Sequence, residues 1–178
     1  HLFNALHFNV TFPTSVTFLR RYSRVMSANS VEHCLAKYFT ELAALDIRLA
    51  VELPSLRAAA AIVLAHLLGS MWEAEDQSSE NVDPNTRTET FEDIYERMEN
   101  IWSPSMVYLS GYPVEMILPV LENMVVAVIQ QNQALTFRAL RAKYVHRNQH
   151  FIGTHEMLRL GFLERIAGSL SLRDKTDD

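Results

Sequence analysis

The chain has 178 residues, 48% of them hydrophobic and only 5 of them glycine, which is enough for one well-filled core and too apolar for a disordered chain. Its net charge of -5 is unevenly spread: residues 1–70 carry 6 basic and 4 acidic groups, 71–102 carry 2 and 10, and 103–178 carry 8 and 7. The acidic middle block argues against a nucleic-acid partner, which needs clustered Lys and Arg.

A single cysteine, Cys34, excludes an intramolecular disulfide and a cysteine-built zinc site, and suits a reducing compartment, nucleus or cytoplasm. No apolar run reaches the roughly 18 to 20 residues of a membrane span, so the expectation is a soluble protein with no membrane partner. The chain opens on His1 inside an apolar pattern, which reads as a piece of a longer protein and not as a signal peptide.

Leu2, Phe3, Leu6 and Val10 lie near one helical face before Phe12-Pro13-Thr14 interrupts them. A helix is predicted from about Pro13 to Met26, burying Val16, Phe18, Leu19 and Tyr22, with a break over Ser27 to Ser30. Asn29 and Glu32 have the spacing of a capping box, and behind them Leu35, Tyr38, Phe39, Leu42 and Leu45 recur at helical spacing to about Asp46. Pro54 suits the first turn of the next helix. Its run Ala58 to Ala61 and its Ile62, Val63, Leu64, Leu67 and Leu68 predict a central, buried element that stops at Gly69.

Glu73 to Asn100 is acidic and polar and reads as a loop up to Thr90. There Thr90 and Asp93 can cap a short amphipathic helix with Phe91, Ile94, Met98 and Ile101 on one side. Trp102-Ser103-Pro104 opens a short helix ending near Gly111, and Pro113 begins a long one through Met116, Leu121, Met124, Val128 and Ile129, with Pro119 inside it. Phe39, Met116 and Met124 are assigned to the core. Helices over about Thr136 to Tyr144 and Thr154 to Leu170 follow, and 173–178 reads as a flexible tail. No alternating strand pattern is present, so the fold class is all-α.

Pro13-Thr14, Phe18-Leu19-Arg20-Arg21, Glu32-His33, Leu35-Ala36-Lys37-Tyr38 and Glu41-Leu42 resemble the opening of the C-terminal cyclin box of B-type mitotic cyclins. Leu53-Pro54-Ser55, Trp102, Ser110-Gly111-Tyr112 and Lys143-Tyr144 are similar to later landmarks of that box, in the same order. The resemblance implies a cyclin fold: a five-helix box over residues 13–172, with an acidic insertion of about 71–100 after its third helix. Residues 1–12 would then be the end of an N-terminal cyclin box and a linker. The resemblance also implies a non-catalytic regulatory subunit of a cyclin-dependent kinase in cell-cycle control, with no cofactor. In that family the first box makes most of the kinase contact, and the second supports it. The alternative is a cyclin-fold adaptor of the transcription-factor type, outside the kinase system, but the basic DNA-facing surface such proteins use is missing from this acidic chain.

His33 and Lys37 are four apart on one helix face, and Arg20 lies on the preceding helix. A planar guanidinium, a point-charge ammonium and an imidazole together suit a phosphate. From the residues alone, a solvated basic face beside Glu32 and Glu41 is the plainer reading. The resemblance implies a phosphate-binding pocket instead, because B-type cyclins carry an Arg, a His and a Lys at these motif positions, where they receive phosphorylated residues of partner proteins. Cys34 next to His33 does not make a nucleophile and base, since adjacent helix positions point apart. His146, His150 and His155 read as surface or packing residues and not as metal ligands, because Asn148-Gln149 and Gly153 end the helix.

Overall fold

The computed structural model describes residues 2–5, 7, 12–76, 90–134, 138–158 and 160–171. In chain order the helices are α1 (Leu2–Ala5), α2 (Ser15–Val25), α3 (Ser30–Ala43), α4 (Ile47–Ala50), α5 (Pro54–Asp76), α6 (Phe91–Ile101), α7 (Pro104–Ser110), α8 (Val114–Ala134), α9 (Arg138–Lys143) and α10 (Leu160–Ser171). Short 3-10 turns over 147–149, 152–154 and 156–158 join the last two, and no strand occurs among the described residues. The fold is all-α.

Helix α5 is the centre of the core. Every residue from Ala58 to Ala65 is buried, and α2, α3, α6 and α8 all pack against this helix. Small alanine side chains let neighbouring backbones approach, while Leu64, Leu67 and Leu68 each contribute roughly 1.5–3 kcal/mol of burial. Gly69 does not end the helix. Leu67, Leu68 and Met71 are buried on either side of it, and their packing outweighs the roughly 1 kcal/mol that glycine costs in a helix interior. The stretch expected to be irregular from Glu73 therefore begins as the last turns of α5.

Helix α3 is shorter than its apolar spacing suggests. It ends at Ala43, because the Asp46 carboxylate accepts the Arg48 N–H at 2.9 Å and starts α4, which leaves Leu45 51% exposed. Met116, expected in the core, is 48% exposed, whereas Phe39 and Met124 are fully buried. The final helix starts at Leu160, not near Thr154. Both expected capping boxes are present: Asn29 with Glu32 at α3, and Thr90 with Asp93 at α6. Ile94 and Met98 anchor α6 in the core, against α5 and α10. The acidic positions 77–89, half of the first twelve residues and the tail 173–178 lie outside the described residues.

Two helices, Pro54–Glu75 and Val114–Gln133, do reach the length and hydropathy of a membrane span, contrary to the reading of uninterrupted runs. The difference arises because isolated charges such as Arg57 and Glu122 break a run without making a helix polar. Their most apolar windows are 72% and 56% buried against other helices, as core helices are.

Candidate functional site

The turn between α2 and α3 sets the geometry. Ser27 adopts φ +54°, Met26 N–H donates to Tyr22 O and Ala28 N–H to Ser23 O, both at 2.9 Å. Two residues on, Asn29 Oδ1 accepts the Glu32 N–H and Glu32 Oε2 accepts the Asn29 N–H, each at 2.9 Å. Helix α3 thus folds back to pack beside α2.

Across that turn His33 Nδ1 lies 2.8 Å from the hydroxyl of buried Ser23, which leaves Nε2 without a protein partner among the described residues. Arg20 is exposed on α2, and His33 and Lys37 are half-buried on α3. Burial, with the nearby Lys37 and Arg20 cations, pushes the His33 imidazole below its ordinary range, so without a counter-charge it is neutral near pH 7. Neither the Arg20 guanidinium nor the Lys37 ammonium has a carboxylate partner among the described residues.

The two carboxylates expected to solvate this face are engaged elsewhere. Glu32 Oε1 meets His66 Nδ1 of α5 at 3.0 Å. Burial raises the Glu32 carboxyl, but the hydrogen bonds from His66 and the Asn29 N–H outweigh it and hold the group below its usual range. Glu41 accepts Lys143 Nζ at 2.6 and 2.8 Å and the Tyr144 hydroxyl at 2.9 Å. Tyr144 is fully buried, and burial together with that carboxylate raises its phenol pKa. In the sequence Glu41 and Lys143-Tyr144 stand as separate landmarks. Nothing in spacing across 102 residues signals that they meet.

Other landmarks also pair. Ser55 and the Tyr112 hydroxyl lie 2.7 Å apart, Trp102 Nε1 donates to Tyr112 O at 2.8 Å, and Tyr22 packs edge-on against Trp102 with ring centroids 5.7 Å apart. The Cys34 thiol faces Gln149 Oε1 at 4.0 Å, and burial pushes its pKa up, so it is held as a thiol. His155 stacks edge-on against Trp72, and no three His, Cys, Asp or Glu side chains among the described residues come together as a metal site. A cleft of about 460 Å³ between the α3–α4 turn and α8 includes Leu42, Ile47 and Gln130 but none of Arg20, His33 or Lys37.

Residues 13–158 match the family described as "Cyclin, C-terminal domain". Among curated proteins, the G2/mitotic-specific cyclin-B of Drosophila melanogaster is 27% identical over 169 residues, covering 94% of this chain and 28% of the fly protein. The G2/mitotic-specific cyclin-B2 of Rana japonica is 28% identical over 93% of this chain and 36% of its own length. Cyclin-B2 of Oryzias javanicus is 41% identical over 78 residues, 43% of this chain and 20% of the fish protein. The chain spans about a third of the length of the first two relatives. Over the helices that carry both the core and the Arg20–His33–Lys37 face, the chain belongs to the cyclin C-terminal domain family, and its relatives are B-type cyclins.

Proposed function

We propose that this chain is the second box of a cyclin-type regulatory subunit of a cyclin-dependent kinase in cell-cycle control. It has no chemistry of its own and receives phosphorylated partners at Arg20, His33 and Lys37. The names of its relatives support the cell-cycle role. One observation carries the site: two cations with no carboxylate partner among the described residues flank His33, while the neighbouring carboxylates Glu32 and Glu41 are committed to His66 and to Lys143 with Tyr144. Such a face has strong donors and no anion among the described residues, and an anion is what a phosphoserine or phosphothreonine supplies.

Titration of a phosphothreonine peptide against the chain and its Arg20→Ala/Lys37→Ala variant tests the site. Loss of two charge-assisted contacts should weaken binding roughly 10- to 100-fold, and the affinity of the unaltered chain should fall with salt. Equal affinity for both proteins, or for the unphosphorylated peptide, removes the reading. The kinase role is tested separately, by whether the full-length parent captures and activates a cyclin-dependent kinase.

A further inference from the structure

A second cleft lies where α6 runs into α7 and α8. It has a volume of about 340 Å³ and is walled by Trp102, Pro104, Val107 and Pro113, with the exposed Glu99 and Glu115 also lining it. Two hydrogen bonds fix its shape. Trp102 Nε1 donates to Tyr112 O at 2.8 Å, and the Tyr95 hydroxyl of α6 donates to Glu115 Oε1 of α8 at 2.9 Å. Gly111, at φ +78°, closes α7 and lets the chain turn into Pro113.

The cleft is apolar inside and negative outside. Glu99 has no partner among the described residues, and Glu115 is held below the usual carboxylate range by its own backbone N–H and by Tyr95. Helix α6 also exposes Glu92 and Glu96, and its only basic residue is Arg97. On the helices that form the walls, Tyr108 is 94% and Met116 48% exposed. Exposed aromatic and Met side chains of this kind are common at protein-binding surfaces.

We infer that this cleft docks a short linear segment of a partner protein in which one large apolar side chain is flanked by Lys or Arg. The volume is at the lower end of the roughly 300–1,000 Å³ of ligand pockets, which suits a single anchoring side chain. The charge specifies the flanks, because a basic neighbour meets Glu99 and Glu115 while an acidic one is repelled. The occupant is chemically opposite to the phosphorylated ligand of the Arg20–His33–Lys37 face, so the two sites stand or fall separately.

Fluorescence anisotropy with a labelled decapeptide carrying Leu between paired arginines tests the inference on the whole chain. Replacing the peptide's Leu by Ala, or its arginines by glutamates, should weaken binding on the order of ten-fold or more, as should Glu99→Lys in the protein. Val107→Asp should abolish binding, with an unchanged helical circular dichroism spectrum and melting curve showing that the fold survives. The Arg20→Ala/Lys37→Ala variant should bind the peptide as the unaltered chain does. Equal affinity for the arginine and glutamate peptides, or no change on Glu99→Lys, overturns the proposal. So does sedimentation showing that the chain self-associates and that Val107→Asp abolishes it, since a second copy would then be the occupant. The peptide comparisons use the unaltered protein, so they decide the matter even where a variant misfolds.

Discussion

Helix α3 carries two polar clusters at successive four-residue steps, and they are resolved in opposite ways. At its C-terminal end Glu41 is saturated: Lys143 and Tyr144 reach it from more than a hundred residues away and tie the α9 region to the core. Earlier on the helix, His33 and Lys37 face Arg20 with no anion between them among the described residues. Glu41 lies four residues from Lys37, the spacing of a helical ion pair, yet its oxygens are turned to other donors. Similar residue types therefore end in two different electrostatic states. The neutralised cluster is part of the architecture, and the one left unneutralised is the site proposed above for an outside anion.

If that contrast is right, substitutions should separate stability from binding. Tyr144→Ala removes a fully buried ring that packs edge-on against Tyr38 at 5.3 Å, and should cost about 3–5 kcal/mol in chemical denaturation. Arg20→Ala/Lys37→Ala should lie within about 0.5 kcal/mol of the unaltered chain in the same assay. A large loss there would make the basic face structural and erase the distinction. Gly153→Ala should follow with about 1–3 kcal/mol, because an added Cβ would sit 2.5 Å from Arg141 O and 3.1 Å from the Val145 side chain.

The pH dependence sharpens the other half of the comparison. His33 is held neutral by burial and by Lys37 and Arg20, so a bound phosphate dianion would raise its pKa and draw in a proton. Phosphopeptide affinity should therefore rise a few-fold as pH falls from about 8 toward 6.5, a slope that His33→Gln flattens. Below about pH 6 the phosphate itself loses charge and the gain should stop. For folding the sign is the reverse. The depressed pKa of His33 means the unfolded chain binds more protons, so its contribution to stability is present above the ordinary imidazole pKa and is lost as pH falls through the folded one. The smallest effect is expected from Glu41→Gln. Lys143 is 52% exposed, so its pair is worth less than about 1 kcal/mol, and phosphopeptide affinity should stay within two-fold. A marked gain in affinity would mean that Glu41 screens the basic face after all.

Much of the fold was legible because short-range rules govern it. The Asn29–Glu32 and Thr90–Asp93 caps were readable from three-residue spacings, and the burial of α5 from a surface apolar almost all round. Element ends were less legible wherever two local preferences competed, as when Asp46 starts α4 before Leu45 can join α3, or when packing carries α5 through Gly69. The members of the basic face could be named from spacing and resemblance. That Glu32 and Glu41 are diverted from it could not, because His66, Lys143 and Tyr144 are brought in only by tertiary structure.

The bend at Ser27 has a thermodynamic consequence for any ligand that bridges α2 and α3. A serine at φ +54° costs free energy in the folded state, of order 1–3 kcal/mol, and that cost is met once, when the domain folds. The backbone bonds on its α2 side, the Asn29 cap on its α3 side and the Ser23–His33 contact across it leave little hinge freedom. A bridging anion therefore meets a preorganised bracket, and the entropy of setting the interhelical angle is not subtracted from its affinity.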